Sequence, residues 1–274
     1  MIDTHTHLHY SGRLPDEARG ITAEQLIDTM NRRGIDKSVL LPMETPELTS
    51  GYCLTERAIE AAERYPERLI PFVHSDPRKP RCLDLIAHFA KHPLVKGFGE
   101  LVDPLPFDDP LRMRIYAKCG ELGLPVVFYG AKNNSLDEVG LPRLEKCLQE
   151  HPDTIFIGHG PRWWNAISAD DDGACGYPDS PVTSGGAADR LLQEYDNMYA
   201  DLSAGSGYNA VTRDPEFTRG FIGRNWTKLL FATDYLSAGH DLGHAAWMRE
   251  TPMDEAHRSA IAEGNARRIL HLDK

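Results

Sequence analysis

The chain has 274 residues, of which 41% are hydrophobic and 26% charged, the composition of an ordinary folded globular protein and not of a disordered one. It carries 30 Lys and Arg against 41 Asp and Glu, a net charge of −11, which argues against a nucleic-acid or anionic-membrane partner. No apolar run approaches the ~20 residues of a membrane helix, and no signal segment follows Met1, so we expect a cytoplasmic protein.

Short apolar runs bounded by turn residues alternate along the chain with amphipathic segments of helical length. The runs predict strands over residues 1–7, 37–43, 69–74, 95–101, 125–129, 154–159, 198–202 and 228–234. The segments between them predict helices over residues 22–33, 55–65, 81–91, 110–122, 141–150, 186–195, 215–223 and 254–270. Eight such pairs predict an α/β protein, a single-domain (β/α)8 TIM barrel over residues 1–274, with a doubly wound open sheet as the alternative.

Residues 161–186 break this alternation after the sixth predicted strand. The stretch is rich in Gly, Pro, Asp and Ser. Because a loop of this length inside a compact domain is more often functional than a mere connection, we predict that it covers the active site.

Two histidines end the first predicted strand. His5 and His7 stand two residues apart, so an extended backbone points both imidazoles to the same side. A divalent cation would satisfy both rings at once, although two hydrogen-bonded or surface histidines would fit the same pattern.

Two acidic residues end other predicted strands. Asp234 ends the eighth strand, which in a closed barrel lies beside the first, so its carboxylate would join the two histidines as a third ligand. Glu100 follows Gly97-Phe98-Gly99 at the end of the fourth strand and would complete the ligand set. The alternative for Glu100 is a simple ion pair, for example with Lys96.

Three more polar side chains fall at strand ends. His159 lies between Gly158 and Gly160, which would clear space around its ring, and is predicted to carry a proton, or else to be a satisfied core histidine. Tyr129 ends the fifth strand, and His74 ends the third, where it would either contact substrate or cap the strand.

The order of these motifs, with Gly264-Asn265-Ala266 near the end of the chain, resembles the amidohydrolase superfamily, specifically its amidohydrolase-related branch. The resemblance implies a metal-dependent TIM-barrel enzyme in which His5, His7 and Asp234 bind a divalent metal and His159 is a ligand or an acid/base. The branch usually has a further histidine ligand on strand five, where this chain has Tyr129. Since a neutral phenol is a poor metal ligand, we expect one metal ion, zinc, with Glu100 completing its shell.

The leading hypothesis is metal-assisted hydrolysis of a small ester, lactone or amide. Asp234 or His159 would move the proton of the attacking water, and Tyr129 would donate a hydrogen bond to the developing oxyanion. A second hypothesis, from members of the branch that resemble decarboxylases or hydratases, is chemistry on an unsaturated or aromatic acid. A third is a non-catalytic barrel whose metal site has decayed at Tyr129.

Substrate contacts are expected from His74 and from the start of the long loop. Arg162 would pair with a substrate acid, and Trp163 and Trp164 would form an aromatic wall, unless all three simply pack the loop. The expected partner is a small-molecule substrate, with assembly into a homo-oligomer left open. No nucleic acid or membrane is expected.

Overall fold

Eight parallel strands form a closed ring in the computed structural model, which describes residues 1–11, 14–15, 21–46, 53–237, 239–240 and 243–272. In chain order they are β1 (Ile2–Thr6), β2 (Lys37–Leu40), β3 (Leu69–Pro71), β4 (Phe98–Leu101), β5 (Val126–Tyr129), β6 (Phe156–His159), β7 (Met198–Asp201) and β8 (Leu229–Leu230). A short antiparallel hairpin pairs Tyr10–Ser11 with Leu14–Pro15 after β1. The predicted TIM barrel is confirmed.

Two seams close the ring. β1 to β3 form one run of paired strands and β4 to β8 another. A parallel bridge between Val73 and Phe98 joins β3 to β4, and one between Thr6 and Tyr235 joins β1 to the chain after β8. At the second seam the Asp234 amide donates to the His5 carbonyl at 2.9 Å, so the two candidate ligand positions are neighbours.

The lower part of the barrel interior is filled by apolar side chains, and the end of the chain closes it. Eight of these residues come from the strands or from positions next to them: Ile2, Val39, Leu41, Ile70, Phe72, Val127, Ile157 and Leu230. Ala266, Ile269 and Leu270 pack against them from the last helix. This apolar plug leaves the opposite, carboxyl end of the strands for polar groups, as in other barrels of this type.

Helices alternate with the strands on the outside of the barrel. They span Ala23–Arg33, Thr55–Arg64, Cys82–Phe89, Pro110–Leu122, Pro142–Glu150, Pro161–Asn165, Ala187–Glu194, Ala204–Thr212, Pro215–Asn225, His244–Glu250, Glu255–Ser259 and Asn265–Ile269. The first begins with a complete capping box between Thr22 and Gln25, as the sequence predicts. None of these described helices combines the length and the apolar character needed to cross a bilayer.

The last helical segment differs from the single helix predicted over residues 254–270. A π-helical turn, Ala260–Gly264, interrupts it. Within this turn the Ile261 carbonyl accepts from the Phe231 amide at 2.9 Å, and the nearby Asn265 side chain donates to the Leu229 carbonyl at 2.8 Å. The helix therefore deviates where its polar groups bond to the barrel strand β8 and the residue after it.

The segment after β6 is only partly a loop. Its first residues form the helix Pro161–Asn165, and the remainder folds back on the helix Ala204–Thr212, which the sequence did not predict. The Asn209 side-chain amide donates to the Pro178 carbonyl at 3.0 Å, and the Val182 amide donates to Asp214 at the same distance. These contacts attach the segment at Pro178 and Val182 to the two helices that follow β7. That it covers the active site stays a prediction.

Candidate metal centre

A cavity of about 400 Å³ opens at the carboxyl end of the strands. Its described lining is His7, His9, Met43, Glu100, Val102, Tyr129, His159, Asp234, Leu236 and Ser237. Five of these are residues that the sequence predicts at strand ends: His7, Glu100, Tyr129, His159 and Asp234. The side of the barrel predicted from the sequence to hold the site therefore does hold a cavity, and polar strand-end residues line part of it.

The two histidines of the first strand meet at the floor of this cavity. Their Nε2 atoms lie 3.1 Å apart, and both rings are fully buried. His5 donates from Nδ1 to Asp201 Oδ2 at 2.8 Å, and His7 donates from Nδ1 to the Leu41 carbonyl at 3.0 Å. A neutral imidazole has one N–H, so both Nε2 atoms present lone pairs to each other, and only a cation can satisfy both.

The two predicted acidic ligands point at the same place. Asp234 Oδ1 lies 3.3 Å from His7 Nε2 and 3.6 Å from His5 Nε2. Glu100 Oε2 lies 3.6 Å from both of these nitrogens. In these contacts neither Glu100 nor Asp234 is paired with a Lys or an Arg. The Glu100 carboxylate lies next to imidazoles and not, as in the alternative, in an ion pair with Lys96.

His159 is held from behind by two partners. Its Nδ1 donates to Asp201 Oδ1 at 3.0 Å and to Ser203 Oγ at 2.8 Å, and Ser203 Oγ donates in turn to Asp201 Oδ1 at 2.6 Å. Its Nε2 lies 3.5 Å from Glu100 Oε1, so the free nitrogen faces the cavity. The rings of His159 and His5 are 4.1 Å apart between centroids.

The electrostatics of the cluster favour positive charge between these groups. Burial disfavours the charged form of His5, but Asp201 and Glu100 outweigh it and raise the pKa of His5 well above its usual range. Burial would likewise raise the pKa of Glu100, yet the surrounding imidazoles, His5 first, lower it to about 2. The site thus attracts a cation, which is either a proton on His5 or a metal ion.

A divalent metal fits this donor set. The ligand atoms of His5, His7 and Asp234 all lie within 4.8 Å of one another, and so do those of His5, Glu100 and His159. Imidazole nitrogens and carboxylate oxygens are the ligands of catalytic zinc and of related divalent ions. Such an ion would be bound by the Nε2 lone pairs that His5 and His7 turn toward each other.

Two glycines explain how the chain brings the fourth and sixth strands to the site. A Cβ on Gly99, which has φ +125°, would lie 2.5 Å from the Val127 carbonyl oxygen. A Cβ on Gly158 would lie 2.5 Å from the Trp163 indole. The glycines that precede Glu100 and His159 are therefore required by close packing.

Tyr129 lies at the wall of the cavity, 5.7 Å from His159 between ring centroids. Burial is the main cause that raises its pKa to about 12, and the negative charge of Glu100 adds to the effect. The phenol therefore keeps its proton at neutral pH and is suited to donating a hydrogen bond. The finding agrees with the view that it is not a metal ligand.

Four residues predicted to contact substrate lie outside the described lining of this cavity, and their role stays a prediction. Trp163 and Trp164 are each 1% exposed and pack on Phe128 and Phe221, respectively. None of Arg162, Trp163, Trp164 or His74 is among the described residues that line the cavity. The indoles pack because Gly158 leaves room for Trp163 beneath the helix Pro161–Asn165.

The polar members of that set have partners outside the cavity. Arg162 donates to Asp171 at 2.6 Å and to the Glu138 carbonyl at 3.1 Å, which binds the long loop to the barrel. His74 is 2% exposed and stacks on Phe98 at 6.0 Å between centroids. The reading of His74 as a residue that ends its strand fits this position better than a substrate contact.

Two residues of the cluster escaped the sequence analysis. Asp201 is fully buried, and Ser203 follows it two residues later. The sequence predicts that the seventh strand continues to Leu202, so Asp201 falls inside the predicted strand and not at its end. The signal that could have found it is a charged residue in the apolar run 198–202, since a buried charge needs partners.

The fold and the cluster define a TIM-barrel metal-dependent enzyme. The family model described as amidohydrolase matches residues 2–272, nearly the whole chain. The protein belongs to the amidohydrolase family. The search of curated proteins found no match.

Solved structures share the fold at low identity. An uncharacterized TIM-barrel protein from Bordetella bronchiseptica matches with a TM-score of 0.71 and 14% identity, over 99% of both chains. A 5-carboxyvanillate decarboxylase from Novosphingobium aromaticivorans, complexed with manganese and 4-hydroxy-3-methoxy-5-nitrobenzoic acid, matches with a TM-score of 0.64 and 14% identity, over 98% of this chain and 95% of that one.

A probable 2-pyrone-4,6-dicarboxylic acid hydrolase from Acinetobacter baumannii, with citric acid bound, matches with a TM-score of 0.62 and 12% identity. The alignment covers 98% of both chains. Decarboxylases and a hydrolase therefore share this architecture, and the reaction has to be argued from the residues of this chain.

Proposed function

We propose that this protein is a metal-dependent hydrolase of a small, uncharged ester, lactone or amide. The observation that carries the proposal is that two proton-carrying groups, Asp234 and His159, line one cavity, Asp234 next to His7 and His159 next to Glu100. Hydrolysis needs both: a base for the attacking water and an acid for the leaving group.

The charge of the site favours an uncharged substrate. Glu100, Asp201 and Asp234 place three carboxylates within this cluster, so one divalent cation leaves it with about one negative charge when the imidazoles are neutral. A substrate carboxylate would add a second negative charge in a buried setting, whereas an ester, lactone or amide adds none.

The proposed role of each residue follows from its position at the cavity. When bound, the divalent cation supplies Lewis acidity to a carbonyl oxygen and lowers the pKa of a water molecule. His5, His7 and Asp234 would hold it with Glu100, and zinc suits their nitrogen and oxygen donors. Asp234 takes the proton of the attacking water, His159 protonates the leaving group from Nε2, and Tyr129 donates to the developing oxyanion.

Non-oxidative decarboxylation of an aromatic acid is the second candidate. Part of the cavity lining is apolar, with Met43, Val102 and Leu236, and would accept an aromatic ring. The 5-carboxyvanillate decarboxylase that shares the fold was solved with manganese, which makes Mn²⁺ the alternative ion. In this reaction His159 would protonate the ring carbon from which carbon dioxide departs.

A substrate panel separates the two candidates. Chelator-treated protein is reloaded with Zn²⁺ or Mn²⁺ and offered uncharged lactones, esters and amides in one set and hydroxybenzoic acids in the other. Proton release from the first set supports the hydrolase function. Carbon dioxide release from the second set contradicts it and supports the decarboxylase function. In either case the metal-free protein should be inactive, and Asp234→Asn should lose turnover while His88→Gln, at an exposed helix position, keeps it.

A further inference from the structure

Asp201 is the one carboxylate in the cluster that faces away from the cavity. It is fully buried, and its two oxygens serve different histidines: Oδ2 accepts from His5 Nδ1 at 2.8 Å and Oδ1 accepts from His159 Nδ1 at 3.0 Å. The two rings that it bonds lie 4.1 Å apart and turn their Nε2 atoms toward the cavity. A single side chain thus reaches a candidate metal ligand and the candidate proton carrier.

We propose that Asp201 is a positioning residue that fixes the tautomers of both His5 and His159. Ser203 acts only on the tautomer of His159. The proposal rests on the metal-dependent function proposed above, but it concerns how the site is built and not which substrate it takes. Both imidazoles are held with the proton on Nδ1, and both are thereby forced to offer a lone pair at Nε2.

The two oxygens of Asp201 are not equivalent, and the difference makes the proposal testable. Oδ1 accepts three hydrogen bonds: from His159 Nδ1, from Ser203 Oγ at 2.6 Å and from the Ser203 backbone amide at 3.2 Å. Oδ2 accepts the one from His5. Because the backbone amide can only donate, the Oδ1 position must be occupied by an acceptor.

This asymmetry decides how an asparagine would sit in the site. In Asp201→Asn the amide oxygen takes the Oδ1 position and the NH2 group takes the Oδ2 position, facing His5 Nδ1. His5 must then accept at Nδ1 and carry its proton on Nε2. That N–H points at His7 Nε2, 3.1 Å away, and closes the space in which a cation would bind.

Ser203→Ala is the complementary change. It removes one donor to Oδ1 and one acceptor of the His159 N–H, but leaves the bond between Asp201 Oδ2 and His5 untouched. The tautomer of His5, and with it the affinity for the metal, should be preserved. Any effect should be confined to His159.

The experiment uses Zn²⁺ alone as the probe, with no substrate. Zn²⁺ affinity is measured by competition with a chromophoric chelator, and histidine tautomers are read from ¹⁵N ring shifts of ¹⁵N-histidine-labelled protein, assigned with single His→Gln variants. Asp201→Asn should lower the affinity by at least about 10-fold, the range found for loss of an outer-shell partner, and should move the His5 proton to Nε2. In Ser203→Ala the Zn²⁺ affinity should change by less than about 10-fold, and the His5 proton should stay on Nδ1.

Asp189→Asn is the matched control, because Asp189 is a buried carboxylate that bonds Arg224 and Asn225 away from the site. It should leave both tautomers and the Zn²⁺ affinity as in the wild type. Unchanged affinity in Asp201→Asn, or a proton moved on His159 and not on His5, would overturn the proposal.

The wild-type protein provides a test that does not depend on any variant folding. Loaded with Zn²⁺, it should carry hydrogen-bonded Nδ1 protons on both His5 and His159, and a His159 ring whose only proton is on Nε2 would contradict the proposal. Since neither measurement involves a substrate, inactivity of the protein toward the lactone, ester and amide panel would overturn the hydrolase function and leave this inference standing.

Discussion

His5 and His7 turn their Nε2 atoms toward each other at 3.1 Å while their Nδ1 atoms donate to other groups. Two acceptors do not approach this closely without a positive charge to hold them. Around them Glu100 and Asp234 supply negative charge, and His159 supplies a third imidazole. A divalent cation is therefore expected beside this pair of nitrogens, with ligands from the groups that surround them.

Tyr129→Phe should lower kcat by about 100-fold and leave the metal content unchanged, because the phenol is expected to donate to the oxyanion and not to bind the metal. Its pKa of about 12 keeps it protonated over the working pH range. Steady-state kinetics and elemental analysis of the same preparation test both halves. Tyr65→Phe, which removes an exposed hydroxyl that bonds Glu24, is the control and should retain full activity.

Tyr129→His introduces the histidine that the family resemblance implies for the fifth strand. The account expects turnover to fall, since the specialised donor is lost. If this variant instead retains metal much better than the wild type and gains activity, the site is a decayed one and the role given to Tyr129 is wrong.

Gly158→Ala should destabilise the fold by about 1–3 kcal/mol, because the new methyl group would lie 2.5 Å from the Trp163 indole. Chemical denaturation measures the change. Trp163→Leu alone should also be destabilising, but it should relieve the clash, so the double variant should be less unstable than the sum of the two. Strict additivity would mean that the two residues do not share this space.

Arg162→Ala should lower stability by about 3 kcal/mol without changing KM, because its guanidinium is bound to Asp171 and to the Glu138 carbonyl. Thermal denaturation and steady-state kinetics provide the two readouts, and a double-mutant cycle with Asp171→Ala isolates the pair. A large rise in KM with unchanged stability would restore the idea that Arg162 binds substrate.

His244 should make the protein less stable in mild acid. Burial is the main cause that lowers its pKa to about 4, although its hydrogen bond to the Ala204 carbonyl opposes the shift. The unfolded chain, with a pKa near 6.5, binds this proton more readily than the folded one. The contribution to stability is therefore complete above pH 6.5 and is lost as the pH falls toward 4, by about 3 kcal/mol at most.

Melting curves of chelator-treated wild type and His244→Gln between pH 7.5 and 4.5 test this sign. The variant should lose less stability than the wild type over this range, because it has no proton to gain at that position. Parallel curves for the two proteins would rule out the assigned role.

The strand ends could be predicted from the sequence because their pattern is local. His5 and His7 follow the two-residue period of a strand, and Glu100 and His159 each follow a glycine that tight packing requires. Asp234 could be placed beside His5 because a closed barrel makes the last strand a neighbour of the first. The barrel, and the residues that meet at its mouth, follow from such rules.

Other features depend on contacts that one sequence does not disclose. Asp201 stands at the end of β7, but an apolar residue follows it, so nothing in the strand pattern marks it as facing two histidines. Trp163 and Trp164 are as apolar in a cavity wall as in a core, and only the space above Gly158 decides between these positions. The π turn at Ala260–Gly264 likewise arises from bonds to a distant strand.

The most direct test is metal titration of the chelator-treated protein combined with anomalous diffraction from its crystals. The account predicts about one tightly bound divalent ion with ligand atoms from His5, His7 and Asp234, and loss of that ion in His7→Ala. A protein that binds less than a tenth of an equivalent, or that places the ion away from these three side chains, would contradict the account.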